Sequence, residues 1–312
     1  MSRLPFADRL RLPILVGPML RVSGIEMTSA ACAAGVIGSF PTANCESLDE
    51  LDAWLGRLAD ETRSGGGAPF CPNLIMRRDP AKLMAEADIV VSHGAEVVIT
   101  SVGSPAAVIP KLHAGGCMVL ADVARITHAR RAVEAGADGL VLLSAGAGGH
   151  TGWINPFAFV RAVRDFFDGP IVLAGGIADG VALRAAEVLG ADLASMGTRF
   201  IASAESIAVD GYKQMLADST IDDVRQTRAF TGLPVNVLEP SIRAVGLDPD
   251  ELDETVTVAE ARERFGGQSQ GVVIKRWTDV WSAGHSVAGV SRTQTMQDIV
   301  DQIANEYQGA SV

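Results

Sequence analysis

The sequence predicts an α/β fold, a (β/α)8 TIM barrel with a C-terminal extension or cap and a closing helix. Three observations predict it. Short apolar runs alternate with helical stretches, the runs number eight, and the alternation stops after Ser219. The runs are 13–19 (PILVGPM), 36–41 (VIGSFP), 70–76 (FCPNLIM), 97–102 (VVITSV), 117–123 (CMVLADV), 139–144 (GLVLLS), 170–176 (PIVLAGG) and 193–198 (LASMGT). Each is too short for a helix and lacks polar alternation, as strands buried on both faces of a parallel sheet do. Eight units close a barrel, whereas an open doubly wound sheet, the alternative, usually has about five or six.

Between the runs, residues 48–63 are amphipathic and acidic in their first turn. The stretches 126–136 and 179–190 end on Gly136 and Gly190, which read as C-caps. Beyond Ser219, Thr220–Gly271 carries Pro, Asp and Glu clusters and no evident strand–helix pair, so an irregular extension packed on the barrel is expected there. A helix over about 293–307 would close the chain. No low-complexity linker separates the parts. The expected division is therefore a barrel from 1–219 and 272–312, with 220–271 laid across it.

A chain of 312 residues, 48% hydrophobic and 20% charged, can bury one large core. Its net charge of −11 and the absence of a basic run argue against nucleic acid or an anionic membrane surface as partners. The four cysteines form no CxxC pair, so no metal site is expected, and Cys32, Cys71 and Cys117 lie in apolar runs as small hydrophobes. The N-terminus lacks an apolar signal region and no run approaches about 18 apolar residues. A cytoplasmic protein is the expectation.

In a barrel, chemistry sits at the C-terminal ends of the strands, and phosphate binds at the loops after the seventh and eighth. Those loops read Ala174-Gly175-Gly176-Ile177-Ala178-Asp179-Gly180 and Met196-Gly197-Thr198-Arg199-Phe200. Glycines let backbone N–H groups approach phosphate oxygens, a following helix N-terminus adds partial positive charge, and Thr198 offers a hydroxyl. Glycines that merely make tight turns are the bland reading; two such loops at these two positions favour phosphate. The loop after the sixth run, Ala145-Gly146-Ala147-Gly148-Gly149-His150-Thr151-Gly152, exposes His150 to the barrel mouth. A lone histidine is more often a satisfied polar residue than a catalyst. This one stands in a loop of small residues and can exchange a proton near neutral pH. His93 and His113 fall near helix C-termini and His128 within a helix, where ordinary structural roles suffice.

These segments resemble the nitronate monooxygenase family, whose superfamily also holds FMN-dependent enoyl-acyl-carrier-protein reductases and NAD(P)H-dependent quinone reductases. The matching motifs are PILVGPM, CPNLIM, AGAGGHTG, PIVLAGGIADG, GADLASMGTRF and VWSAGHSVAGV, spanning residues 13–290 in the family's order. The resemblance implies FMN, with its phosphate on Gly175, Gly176, Gly197 and Thr198. It implies Pro18 and Met19 beside the flavin ring, Asn73 within hydrogen-bond reach of it, and Gly148 and Gly149 among the cofactor contacts. It brings Ser282, Ala283 and Gly284 back to the phosphate region, makes His150 the active-site histidine, and gives His285 no role. Three positions depart from the pattern. Val16 stands where many relatives have Gln, Leu142-Leu143-Ser144 where several carry an acid, and Asp122 where relatives can carry Lys.

Two activities follow from the resemblance. One is nitronate monooxygenase, oxidising an alkyl nitronate with O2 to a carbonyl compound and nitrite. The other is an NAD(P)H-dependent reductase, or an acyl-CoA-type dehydrogenase, moving hydride through flavin N5 to or from an activated alkene, acyl thioester or quinone. A non-catalytic flavin sensor is the third and weakest reading, because it leaves His150 without a purpose. The expected partners are thus a small-molecule substrate with O2 or NAD(P)H. A homo-oligomer is left open.

Overall fold

In the computed structural model, which describes residues 3–266 and 274–310, each of the eight apolar runs contains a strand. They are β1 (Ile14–Val16), β2 (Gly38–Pro41), β3 (Phe70–Ile75), β4 (Val97–Ser101), β5 (Met118–Val123) and β6 (Gly139–Leu143). After the two-residue β7 (Gly149–His150) come β8 (Ile171–Ala174) and β9 (Leu193–Met196). The eight barrel strands pair in parallel in the order β1-β9-β8-β6-β5-β4-β3-β2, and a parallel bridge between Leu15 and Ile37 joins the two ends of that row.

Both faces of the strands are buried, which explains their unbroken apolar character. Leu15, Cys71, Ile99, Leu120, Val141 and Val172 fill the interior. Their neighbours Ile14, Val16, Leu140, Leu142 and Leu173 pack outward against the helices. Leu4 and Phe6 are buried against the same interior cluster as Val97, Met118 and Leu193, which begin or precede their strands' inner runs, and so close the bottom. The helix expected over 48–63 spans Leu48–Gly65, with the Ser47 side chain accepting from the Glu50 N–H as its N-cap. Gly190 caps Gly180–Leu189 in the left-handed region at φ 107°, as its position in the sequence predicts.

The place of the last barrel helix is filled from a distance. After β9 the chain makes one helical turn, Thr198–Ile201, then Asp210–Asp218, and departs into the extension. The C-terminal helix Met296–Gly309 returns and buries Met296, Ile299, Val300, Ile303 and Ala304, a stripe at helical spacing. It lies so close to Gly180–Leu189 that a Cβ on Gly180 would stand 2.1 Å from the Tyr307 nitrogen. Glycine there is a packing requirement.

The extension is more ordered than the sequence suggests. It holds an antiparallel pair, β10 (Val224–Thr227) and β11 (Val235–Leu238), with helices Glu239–Ala244 and Val258–Phe265. The strands escape a pattern search for opposite reasons. β11 is buried at all four positions and shows no alternation, while β10 is short and largely accessible. Ala229, Phe230, Val235, Val237, Ile242 and Val280 give this region its own apolar cluster. The expected boundary at 271–272 lies outside the described residues. The extension is not simply laid across the barrel: β11 also pairs with β7, within the loop that carries His150.

Candidate active site

Five of the glycines singled out in the sequence line one wall of the barrel mouth. A Cβ on Gly148 would lie 2.8 Å from the Gly284 nitrogen and 3.2 Å from Thr198 Oγ1; one on Gly284 would lie 2.4 Å from the Gly146 oxygen. The Gly284 N–H donates to Thr198 Oγ1 at 2.9 Å and the His285 N–H to the Gly146 carbonyl at 2.9 Å. Three loops 50 or more residues apart are thereby locked together by contacts that only glycine permits. Gly175 sits on the same wall, its absent Cβ 2.4 Å from Ser144 Oγ. Gly176, at φ 72°, has no atom within 4 Å of where a Cβ would stand, so its flank is open space. Gly197 faces Met19, whose Sδ lies 3.4 Å from the ideal Cβ position.

Pro18 and Met19 follow β1 and are half-buried at this rim. The Met19 backbone is pinned, its N–H donating to Ser23 Oγ at 3.1 Å and its carbonyl accepting from Asn44 Nδ2 at 3.0 Å. The helix after Gly176 departs from expectation. Its N-terminal amides are already engaged, Ala182 N–H by Asp179 at 2.7 Å and Gly180 N–H by Glu306 at 3.0 Å. Two carboxylates already cap that end, which disfavours an anion at these amides.

Asn73 is buried across the mouth, on β3, where its Nδ2 donates to Ser101 Oγ at 3.1 Å and the Ile99 carbonyl at 3.3 Å, and Ser101 Oγ donates to Oδ1 at 3.2 Å. The structure thus separates it from the glycine wall by the width of the barrel. Asp122, on β5, alternates with inward-facing Leu120 and so points into the barrel near its upper end. No hydrogen bond or ion pair engages it among the described residues, and burial pushes its carboxyl up to about 7.

His150 is held from the extension side. It pairs with Val235 and Gly149 with Asn236, while Asn236 Nδ2 donates to the Ala147 carbonyl at 2.7 Å and Thr151 N–H to the Pro234 carbonyl at 3.2 Å. Ser282 bridges to Val237, and its carbonyl accepts from the Tyr212 hydroxyl. The imidazole stands edge-on to Trp277 with centroids 5.8 Å apart, and its Nδ1 is buried without a hydrogen-bond partner among the described residues. Burial holds its pKa down to about 4, aided by the charges of Arg276 and Arg77 and opposed by the Pro234 carbonyl. The ring is therefore neutral at physiological pH.

Backbone strain gathers at this end. Among the described residues, the non-glycines with positive φ are Arg21 (59°), Val102 (56°) and Trp277 (67°). They lie in the loop after β1, directly after β4, and beside His150. Such conformations persist where surrounding structure enforces them, and they cluster at functional sites. The opposite face offers a depression of about 370 Å³ lined by Arg9, Thr62, Arg63, His93 and Glu96. His93 there is bonded to Asp52 at 2.8 Å, and His113 is bonded elsewhere to Asp138 at 2.9 Å. All four cysteines are buried, with thiols pushed up by that burial.

Sequence reasoning missed Asn236, Trp277, Arg77 and Arg276. Asn236 left a faint signal, a lone amide inside the apolar run VNVL. The other three left none, because their role depends on meeting His150 in space.

A family model described as nitronate monooxygenase matches residues 71–306. The chain is 29% identical over 233 residues to a Mycobacterium tuberculosis (3aS,4S,5R,7aS)-5-hydroxy-7a-methyl-1-oxo-octahydro-1H-indene-4-carboxyl-CoA dehydrogenase, covering 74% of this chain and 64% of that protein. It spans just under two thirds of the length of the first curated relatives it matches. Among solved structures it superimposes on FabK from Thermotoga maritima with a TM-score of 0.80 and 27% identity, covering 99% of this chain and 97% of that one. It also superimposes on nitroalkane oxidase from Streptomyces ansochromogenes with a TM-score of 0.76 and 27% identity, covering 97% of each.

Proposed function

The chain belongs to the nitronate monooxygenase family of flavin-dependent oxidoreductases, and we propose that it is an FMN enzyme that oxidises alkyl nitronates with O2 to a carbonyl compound and nitrite. The observation that carries this reading is the pairing of a glycine cradle with a neutral, partly unpartnered histidine at one barrel mouth. The residues are compatible with the cofactor: Gly148 and Gly284 let the loops of the wall close on one another, and the open flank at Gly176 leaves room for a phosphate. Gly175, Gly176, Gly197, Thr198, Gly148 and Gly284 would hold that phosphate, with Gly149 and Ser282 at its margin. Pro18 and Met19 would flank the ring and Asn73 would meet its far side. When bound, FMN supplies the electron transfer.

The chain's own contribution is orientation and a proton. A ring held at a pKa of about 4 is unprotonated at neutral pH, so it can accept the α-proton of a neutral nitroalkane. The nearby positive charges of Arg276 and Arg77 suit the anion that results. A cytoplasmic enzyme is the reading we keep; among the described residues no helix is long and apolar enough to cross a membrane. A second reading, an acyl-thioester dehydrogenase, is favoured by the similarity to the M. tuberculosis CoA-ester dehydrogenase. Anaerobic mixing of the purified yellow protein with propane-2-nitronate, an acyl-CoA, NADH and NADPH separates them. Bleaching by the nitronate, with nitrite released on admitting O2, is expected; bleaching by the acyl-CoA or NAD(P)H alone would overturn the first reading. FMN is expected on denaturation, and recovery of FAD would exclude the single-phosphate cradle.

A further inference from the structure

We propose that Arg276 and Arg77 form an anion subsite beside His150 that selects substrates bearing a negatively charged group. The proposal rests on His150 marking the reacting end of the site. Arg276 immediately precedes Trp277, the strained residue whose indole meets the imidazole edge-on. Its position is fixed by the extension: its backbone N–H donates to the Phe265 carbonyl at 3.1 Å and its Nη1 to the Phe230 carbonyl at 3.2 Å. Arg77 lies two residues past the C-terminal end of β3, on the rim of the same mouth. Arg276 is the larger and Arg77 the smaller of the positive charges that lower the imidazole's proton affinity.

Neither guanidinium has a carboxylate partner among the described residues. The charge that bears most on Arg276 belongs to Arg262, another cation, and the neighbouring Arg78 is instead paired with buried Glu86 at 2.5 Å. This occurs in a chain with 37 acidic and 26 basic residues, where a carboxylate is the easier neighbour to find. Arg276 is half-buried and its ionised form is disfavoured by that burial. A half-buried guanidinium whose one charged neighbour is another cation is unfavourable unless an anion completes it. Its planar fork suits two oxygens on one atom, as in a nitronate, carboxylate or phosphate. The accessible Arg77 stands further out and contributes attraction that salt can screen.

The test is calorimetric titration of the flavin-loaded protein with two inert probes, propionate and coenzyme A. Propionate presents a small anion at the reacting position; coenzyme A presents phosphates remote from it. Arg276→Gln should weaken the favoured probe about tenfold to a hundredfold, and Arg276→Lys by less. The exposed Arg77→Gln should weaken it about two- to fivefold, and only at low salt. Flavin absorbance and circular dichroism of each variant establish that the site is intact. Loss confined to propionate supports the subsite and assigns it to the reacting group; loss confined to coenzyme A supports it and assigns it to a carrier. The proposal is overturned if the double variant binds both probes as the wild type does, or if the wild type binds neither. Binding needs no turnover. Should nitronate oxidation be absent while Arg276→Gln still abolishes propionate binding, the activity reading falls and the subsite stands.

Discussion

The two sides of the barrel mouth are built by different means. On the β8–β9 side, Gly148, Gly175, Gly176, Gly197 and Gly284 bring bare backbone together, and the contacts are those a Cβ would destroy. On the extension side, His150, Asn236, Trp277 and Arg276 project side chains from segments whose order depends on one another. The first wall presents backbone rather than side chains. The second meets the first through the Asn236–Ala147 hydrogen bond. A fold that keeps its cofactor while changing substrates is expected to divide its labour in this way.

The largest effect should come from the backbone wall. Gly148→Val places a branched side chain 2.8 Å from the Gly284 nitrogen, against backbone that has nowhere to go. We expect flavin affinity to fall about a hundredfold or more, roughly 3 kcal/mol, with circular dichroism still showing a folded barrel. Gly176→Val meets no atom but must hold φ 72°, which costs about 1–3 kcal/mol for a β-branched residue. Undiminished flavin content in both variants would mean that this wall is only a set of turns.

Next comes the side-chain wall. His150→Ala should keep its flavin and lose about 100- to 10,000-fold in turnover of a neutral nitroalkane. The loss should be small with a preformed nitronate, which has already given up its proton. In the wild type, kcat/KM for the neutral substrate should rise as pH passes through about 4 and then level off. A profile rising only near the ordinary histidine value of 6.5 would place the ring in water rather than in the pocket.

The link between the walls should matter less. Asn236→Ala leaves the buried Ala147 carbonyl without its 2.7 Å donor, which should cost about 1–3 kcal/mol in denaturant unfolding and lower turnover with flavin retained. Unchanged stability would show that the β7–β11 pairing positions the loop unaided.

The smallest effect is expected at Asp122. Its folded pKa of about 7 lies above the ordinary 3.8, so the folded chain holds a proton that the unfolded chain has released between those values. Its contribution to stability therefore falls as pH rises through that window. His150 acts in the other direction: held near 4 instead of 6.5, it removes stability as pH falls from 6.5 toward 4. Asp122→Asn should raise the denaturant midpoint at pH 8 relative to wild type and leave it near wild type at pH 4. The gain should be about 1 kcal/mol, since the carboxyl keeps some access to the mouth. Equal midpoints at both pH values would show that the carboxylate is already solvated.

What could be read in advance follows the same division. The eight strands were legible because burial on both faces leaves unbroken apolar runs, and Gly190 was legible as a cap because its left-handed backbone favours glycine. β10 and β11 were not, since one is uniformly buried and the other too short to show a period. Asp122 was visible as a departure from the family pattern, but its lack of a partner among the described residues was not.

By itself, then, the sequence determined the barrel's eight strands, the closing helix, and the glycine loops and histidine of the candidate site, because local backbone sterics and burial period write these into neighbouring residues. Only the tertiary structure decided that Gly284 would meet Thr198, that Met296–Gly309 would stand in for the last barrel helix, and that Val235, Asn236, Trp277 and Arg276 would surround His150. The physical reason is that these contacts join residues tens to more than a hundred positions apart. The free energy that selects them comes from closing the barrel and burying the extension against it, and no stretch of neighbouring residues carries a pattern of that closure.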